Sequence, residues 1–150
     1  MDKPELDPLR PASGFAHLLG YNLTRWVEDE AELTMAVEQK HLNRSHVLHG
    51  GVIATLIDAA CGFAGCFIAD KTRRRRAFTL SLTTQFIGTV RAGYTISCVA
   101  RKTGGGRQVF FAVAEVRNQK GELVGRGDAT YKYRGKSGEP QGDPLHGDPV

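Results

Sequence analysis

The sequence predicts an α+β domain in which a curved antiparallel sheet wraps around one long helix. Three observations lead there. The run from Gly51 to Ala69 is apolar on nearly every side at helical spacing, so it belongs inside the domain. The stretches before and after it alternate at the period of strands. Helix and strands are segregated along the chain: short helix, two strands, long helix, four strands.

Residues 1–12 form a polar, proline-punctuated lead, residues 13–134 the domain, and residues 135–150 a Gly-, Pro- and Asp-rich stretch that reads as a disordered tail. With 150 residues, 41% apolar and 24% charged, the chain suits one globular unit with a real core. The lead lacks the apolar segment of a signal peptide. Thr55, Asp58 and several glycines interrupt the longest apolar run, so no membrane span is expected. Cys61, Cys66 and Cys98 lack metal-type spacing and read as buried thiols, which points to a cytoplasmic protein.

Within the domain, Ser13 caps a short helix through Leu19 that Gly20 closes. Leu23–Val27 and Ala31–Val37 read as strands joined by the turn Glu28-Asp29-Glu30. In the second, Ala31, Leu33, Met35 and Val37 alternate with Glu32, Thr34, Ala36 and Glu38. A polar loop, Gln39 to Leu48, leads into the long helix. On that helix Gly51, Ala54, Thr55, Asp58, Cys61, Gly62 and Gly65 recur at helical spacing, an open stripe of small residues with one acid. Phe78–Phe86, Tyr94–Lys102, Gln108–Arg117 and Glu122–Tyr133 read as strands. Their turns are Arg91-Ala92-Gly93, Gly104-Gly105-Gly106 and Asn118-Gln119-Lys120-Gly121.

The chemistry concentrates where loop meets helix. Leu48-His49-Gly50-Gly51 opens the long helix, and Asp58 follows two turns in. A lone carboxylate among apolar neighbours is costly unless it is paired or has a task. A helix start offers unpaired N–H groups and a positive dipole end, the parts that hold a developing oxyanion. Acid and oxyanion donor together suggest acyl transfer. The histidines His17, His41, His46, His49 and His146 form no ligand set, so no metal is expected. No serine sits in a nucleophile elbow.

Asn43, then Leu48-His49-Gly50-Gly51, then Asp58 with Ala59 and Ala60 after it, resembles the hotdog-fold thioesterases of the phenylacetate-degradation (PaaI-like) type. The similarity spans about Ala16 to Arg134. It implies hydrolysis of acyl-CoA thioesters, with CoA part of the substrate and no cofactor. It also implies a homodimer whose sheets join, paired again into a homotetramer, with active sites at the subunit interface. Gly50 would donate its N–H to the thioester oxygen, Asp58 would be general base or nucleophile, and Asn43 would position the lytic water or the carboxyl intermediate. Thr79 matches the position of a water-holding hydroxyl. Other members carry that hydroxyl one turn after the acid, where this chain has Gly62. Gly106-Arg107 matches a Gly-Arg or Gly-Lys pair that faces the nucleotide.

Each assignment has a plainer counterpart. Gly50-Gly51 serves equally as a tight turn into the helix, Asp58 as a buried acid capped by a serine, threonine or neighbouring histidine, and Asn43 as an Asx-turn; His49 orients the loop instead of reacting, Thr79 is an ordinary strand threonine, and Arg107 a solvated hairpin end. Lys71-Thr72-Arg73-Arg74-Arg75-Arg76 supplies much of the net charge of +4. Arg76 and its neighbours suit CoA phosphates at the pocket mouth, or a solvated loop. Without interleaved aromatics they do not favour nucleic acid. A non-catalytic acyl-CoA binder on the same fold is the alternative to a hydrolase. Phe63, Phe67, Phe86 and Ile87 are candidates to line the acyl pocket.

Overall fold

A computed structural model describes residues 14–145. The 1–12 lead, the Ser13 cap, His146 and the end of the tail lie outside the described residues. The chain begins with α1 (Gly14–Leu19), which ends where Gly20 turns to φ +85° and its N–H bonds Ala16 O at 2.8 Å. The strands β1 (Asn22–Val27) and β2 (Glu30–Ala36) form a hairpin through Asp29, whose φ is +60°. Then come the helix α2 (Gly50–Gly65) and a short β3 (Arg73–Arg74). The strands β4 (Ala77–Phe86), β5 (Thr95–Gly105), β6 (Val109–Asn118) and β7 (Leu123–Tyr133) follow, and β8 (Asp143–Pro144) closes the described chain.

The six long strands make one antiparallel sheet in the order β1-β2-β5-β6-β7-β4, curved around α2. Alternation places Leu33, Met35, Ile96, Cys98, Ala100, Phe110, Ala112, Ala114 and Val116 on the concave face. Val52, Ile53, Leu56, Ile57, Ala60 and Ala64 of α2 pack onto them. The fit is close: a Cβ at Gly65 would lie 2.1 Å from the Phe110 ring, and one at Gly125 would lie 2.7 Å from Ile53 Cγ2. Larger residues there would lift the helix off the sheet.

Three expectations are corrected. The helix stops at Gly65, not Ala69, because its last carbonyls are taken from outside. Phe63 O accepts from Trp26 Nε1 at 2.8 Å and from Cys66 N at 3.0 Å, and Gly65 O accepts from Tyr133 Oη at 2.6 Å. Phe67 thus leaves the helix to pack edge-on against Trp26, ring centroids 5.6 Å apart. Second, Cys61 and Gly65 face the core rather than the open stripe; the half-exposed line runs Ala54, Thr55, Asp58, Ala59, Gly62, Phe63. Third, Gly135 to Leu145 is not a loose tail. It folds back so that β8 pairs with β3, Arg74 opposite Asp143. Polar groups, not apolar ones, hold this strap, which is why its composition resembles a tail.

β4 is an edge strand with a neighbour on one side only, β7. It is nevertheless apolar and exposed at Phe78, Leu80, Leu82 and Phe86. Among the described residues no helix is long and apolar enough to cross a membrane.

Candidate active site

The middle of α2 presents Asp58 toward β4 and β7. Thr79 on β4 and Tyr131 on β7 are register partners, so the sheet sets their side chains next to each other. Thr79 Oγ1 donates to Asp58 Oδ1 at 2.6 Å, and Tyr131 Oη donates to the same oxygen at 3.0 Å and also to Asp58 O. Burial, then the neighbouring Asp58 charge, pushes the Tyr131 phenol far above its ordinary range, so it stays a donor at any physiological pH. Two hydroxyls thus fix the carboxylate's orientation through Oδ1. Oδ2 accepts no hydrogen bond from the described residues.

The carboxylate lies in the wall of a cleft of about 370 Å³. Its lining combines apolar and small residues, Trp26, Ala59, Gly62, Phe63 and Cys66, with the cationic Arg75, Arg76 and Arg134. Trp26 and Phe63 meet edge-to-face at 5.5 Å. Of the four residues expected around an acyl group, Phe63 lines this cleft and Phe67 buttresses Trp26. Phe86 and Ile87 are exposed on and beyond the edge strand.

The start of α2 forms a second group of functional atoms. His49 is the N-cap, and its Nδ1 accepts the Gly51 N–H at 2.8 Å; Val52 N bonds His49 O at 3.0 Å. His49 therefore acts through the loop, and the Gly51 N–H is already used. The Gly50 N–H has no partner among the described residues. Of the first three helical N–H groups, it alone remains to meet a carbonyl oxygen. The Phe86 ring covers Gly50, where an added Cβ would come within 3.1 Å of it.

Asn43 shapes the preceding loop: its Oδ1 accepts from Ser45 N at 2.9 Å and Val47 N at 3.3 Å. This is the Asx-turn geometry. Nδ2 of the side chain has no hydrogen-bond partner among the described residues. A buried His41 anchors the same loop. Its Nδ1 accepts from Glu38 N at 2.9 Å and its Nε2 donates to Leu19 O at 2.7 Å.

The structure thus brings Asp58 and Thr79 together and places Asn43, His49, Gly50 and Gly51 together, but keeps the two groups apart. Eight residues of helix separate Gly50 from Asp58, about 12 Å along the axis. Gly106 closes the β5–β6 hairpin through its N–H to Val109 O at 2.8 Å. Arg107 is exposed there, 3.6 Å from Glu139 of the strap, and does not line the Asp58 cleft. Arg76 does line it.

Tyr131, Trp26 and Arg134 were not singled out from the sequence, whereas Arg75 and Arg76 belong to the basic block expected at the pocket mouth. Tyr131 sits in an ordinary alternating strand, and only the β4–β7 register makes it a partner of Thr79. Among the described residues no three His, Cys, Asp or Glu side chains group as metal ligands.

A helix of this length cradled in a six-stranded antiparallel sheet, with an acid facing a cleft from the helix middle, defines the hotdog fold. Residues 45–125 match the Thioesterase superfamily model, more than half of the chain, and the protein belongs to that family. A Pseudomonas aeruginosa protein named as an esterase is 28% identical over 79% of this chain and 88% of its own length. The Escherichia coli PaaI protein of the phenylacetic acid degradation operon superposes with a TM-score of 0.74. It shares 25% identity over 83% of this chain and 86% of that one. A Streptococcus mutans protein solved with acetyl-CoA has a TM-score of 0.69 at 24% identity, covering 77% of this chain and 90% of that one.

Proposed function

We propose that the protein hydrolyses acyl-CoA thioesters, with Asp58 as the base and Gly50 of a second copy as the oxyanion donor. The observation that carries this is the Asp58 carboxylate. It is held by Thr79 and Tyr131 through Oδ1, has its second oxygen open, and faces a cleft lined by both apolar and cationic residues. The apolar lining suits an acyl group, and the arginines suit the phosphates of CoA. The acetyl-CoA bound to the Streptococcus mutans protein is consistent with that carrier.

Oδ2 of Asp58 takes a proton from water as the water oxygen bonds to the thioester carbonyl carbon. The carbonyl oxygen gains charge and is met by an N–H, a contact typically worth about 10²–10³ in rate. The C–S bond then breaks, the thiolate leaves, and the proton passes from Asp58 to sulfur. Asn43, through Nδ2, helps place the water on the Gly50 side.

A separation of about 12 Å along one helix is too long for both groups of a single chain to serve one carbonyl. Joining two sheets edge to edge through β4 would bring the start of one helix to the middle of the other. The exposed apolar residues of β4 favour that pairing, because a bare apolar edge strand is an aggregation hazard. Val99, Phe111 and Val113 form an exposed apolar row on the convex face, suited to packing one dimer against another in a tetramer.

The test is release of CoA thiol from a panel of aryl and short to medium aliphatic acyl-CoA esters. Asp58→Asn should lower kcat by about 10²–10⁴ while leaving ester binding in place. Near wild-type turnover in that variant refutes the assignment. Binding of esters by the wild type without any thiol release favours a non-catalytic acyl-CoA binder.

A further inference from the structure

We infer that Ser137 and Asp143 are positioning residues: this hydrogen-bonded pair in the C-terminal strap holds the Arg75–Arg76 wall of the Asp58 cleft in place for CoA phosphates. The inference rests on the acyl-CoA reading and adds a specificity element outside the segment matched by the family, residues 45–125.

Four consecutive arginines repel one another and carry long, mobile stems, so left alone they would spread into solvent. Here they do not. Ser137 is fully buried. Its Oγ donates to Asp143 Oδ2 at 2.6 Å and accepts the backbone N–H of Arg76 at 2.9 Å. Its carbonyl accepts Arg75 Nε at 2.7 Å. Asp143 also accepts Lys136 N at 3.1 Å, which closes the strap on itself.

The rest of the strap is fastened on either side of this pair. Arg73 donates to the carbonyls of Gln141 and Gly142, and Leu145 N bonds Thr72 O at 3.1 Å. Arg134 N bonds Arg76 O at 2.9 Å, so the residue that follows β7 and the arginine segment are tied directly. Gly138 packs so closely on Arg107 O that a Cβ would come within 1.6 Å of it. Arg75 stacks over the Tyr133 ring, 4.7 Å from its centroid. Before any ligand arrives, Arg75 is thereby held by its guanidinium, and Arg76 and Arg134 by their backbone groups. A guanidinium already in place binds a phosphate better than a mobile one, because less freedom is lost on contact.

The experiment measures free CoA affinity by calorimetry and hydrolysis of two esters of one acyl group, its CoA ester and its pantetheine ester. Ser137→Ala and Asp143→Asn should each raise Kd for CoA and KM for the CoA ester roughly five- to tenfold, the loss of one good charged contact. The kcat values, and KM for the pantetheine ester, should stay within about twofold. Arg76→Ala should give the same pattern, and Ser137→Ala added to it should cost little more, since both act through one contact. Asp143→Asn, at the half-buried end of the pair, supplies the readout if Ser137→Ala fails to fold.

Equal loss for both esters, or additive losses in the double variant, overturns the inference and leaves a merely structural strap. Wild-type protein that does not bind CoA also overturns it. Wild-type protein that binds CoA but hydrolyses no ester refutes the hydrolase reading instead, and the calorimetry still decides the role of the strap.

Discussion

Thr79 and Asp58, twenty-one residues apart in sequence, are joined by a 2.6 Å hydrogen bond in which the threonine hydroxyl donates to the carboxylate. The contact crosses from an edge strand to the central helix. It exists because Thr79 is in register with Tyr131, whose phenol reaches the same oxygen.

The first prediction follows from that contact. Thr79→Ala should lower kcat by about 10–100-fold, less than loss of the acid itself, because Tyr131 still holds Oδ1. Thr79→Ser should restore most of the activity. Steady-state kinetics on both variants check this, and a Ser variant as poor as Ala would show that the hydroxyl is not what matters.

The second concerns the edge strand. Leu80 is 54% exposed on β4, and Leu80→Lys places a charge where two β4 edges would meet. The variant should remain folded, sediment as a monomer, and lose nearly all turnover. A folded, active monomer would remove the second copy from the mechanism.

The third uses the buried titratable groups. Burial, then the charges of Asp58 and Asp128, pushes the Cys61 thiol from 9.0 up to about 12. Burial likewise pushes the Tyr133 phenol from 10.0 up to about 12. Both pKa values are raised in the folded state, so both groups favour folding while protonated. Their contribution is whole below pH 9 and is lost as pH rises from there to about 12. Denaturation midpoints should therefore fall across that alkaline window. A disulfide reagent at pH 8 should label Cys61 only after unfolding. Rapid labelling of the native protein contradicts this.

The fold was legible because each level of the sequence agreed with the next. Alternation in Ala31–Val37 and in the last four strands set the sheet, and an apolar run behind His-Gly-Gly set the helix. The helix end was not legible, since it is decided by Trp26 and Tyr133 reaching over from β1 and β7. In the site, Asp58 and Gly50 stood out as an acid in an apolar helix and a glycine at its start. Tyr131 did not, because strand pairing alone gives it a role. The strap from Gly135 escaped notice for another reason. It is held by serine, aspartate and carbonyl groups, the same composition that marks a loose terminus, and only the facing arginines make it ordered.

The central claim is that one site draws Gly50 from one chain and Asp58 from another. Gly50→Pro removes the N–H at the first helical position, where proline is tolerated, and His49 already has the extended backbone that must precede it. Mixed by unfolding and refolding with an equal amount of Asp58→Asn, this variant should form dimers half of which are mixed. One of the two sites in each mixed dimer is then intact, which restores about one quarter of wild-type activity from two nearly inactive proteins. No recovery in refolded, mixed dimers would place Gly50 and Asp58 of the same chain in one site and contradict the account.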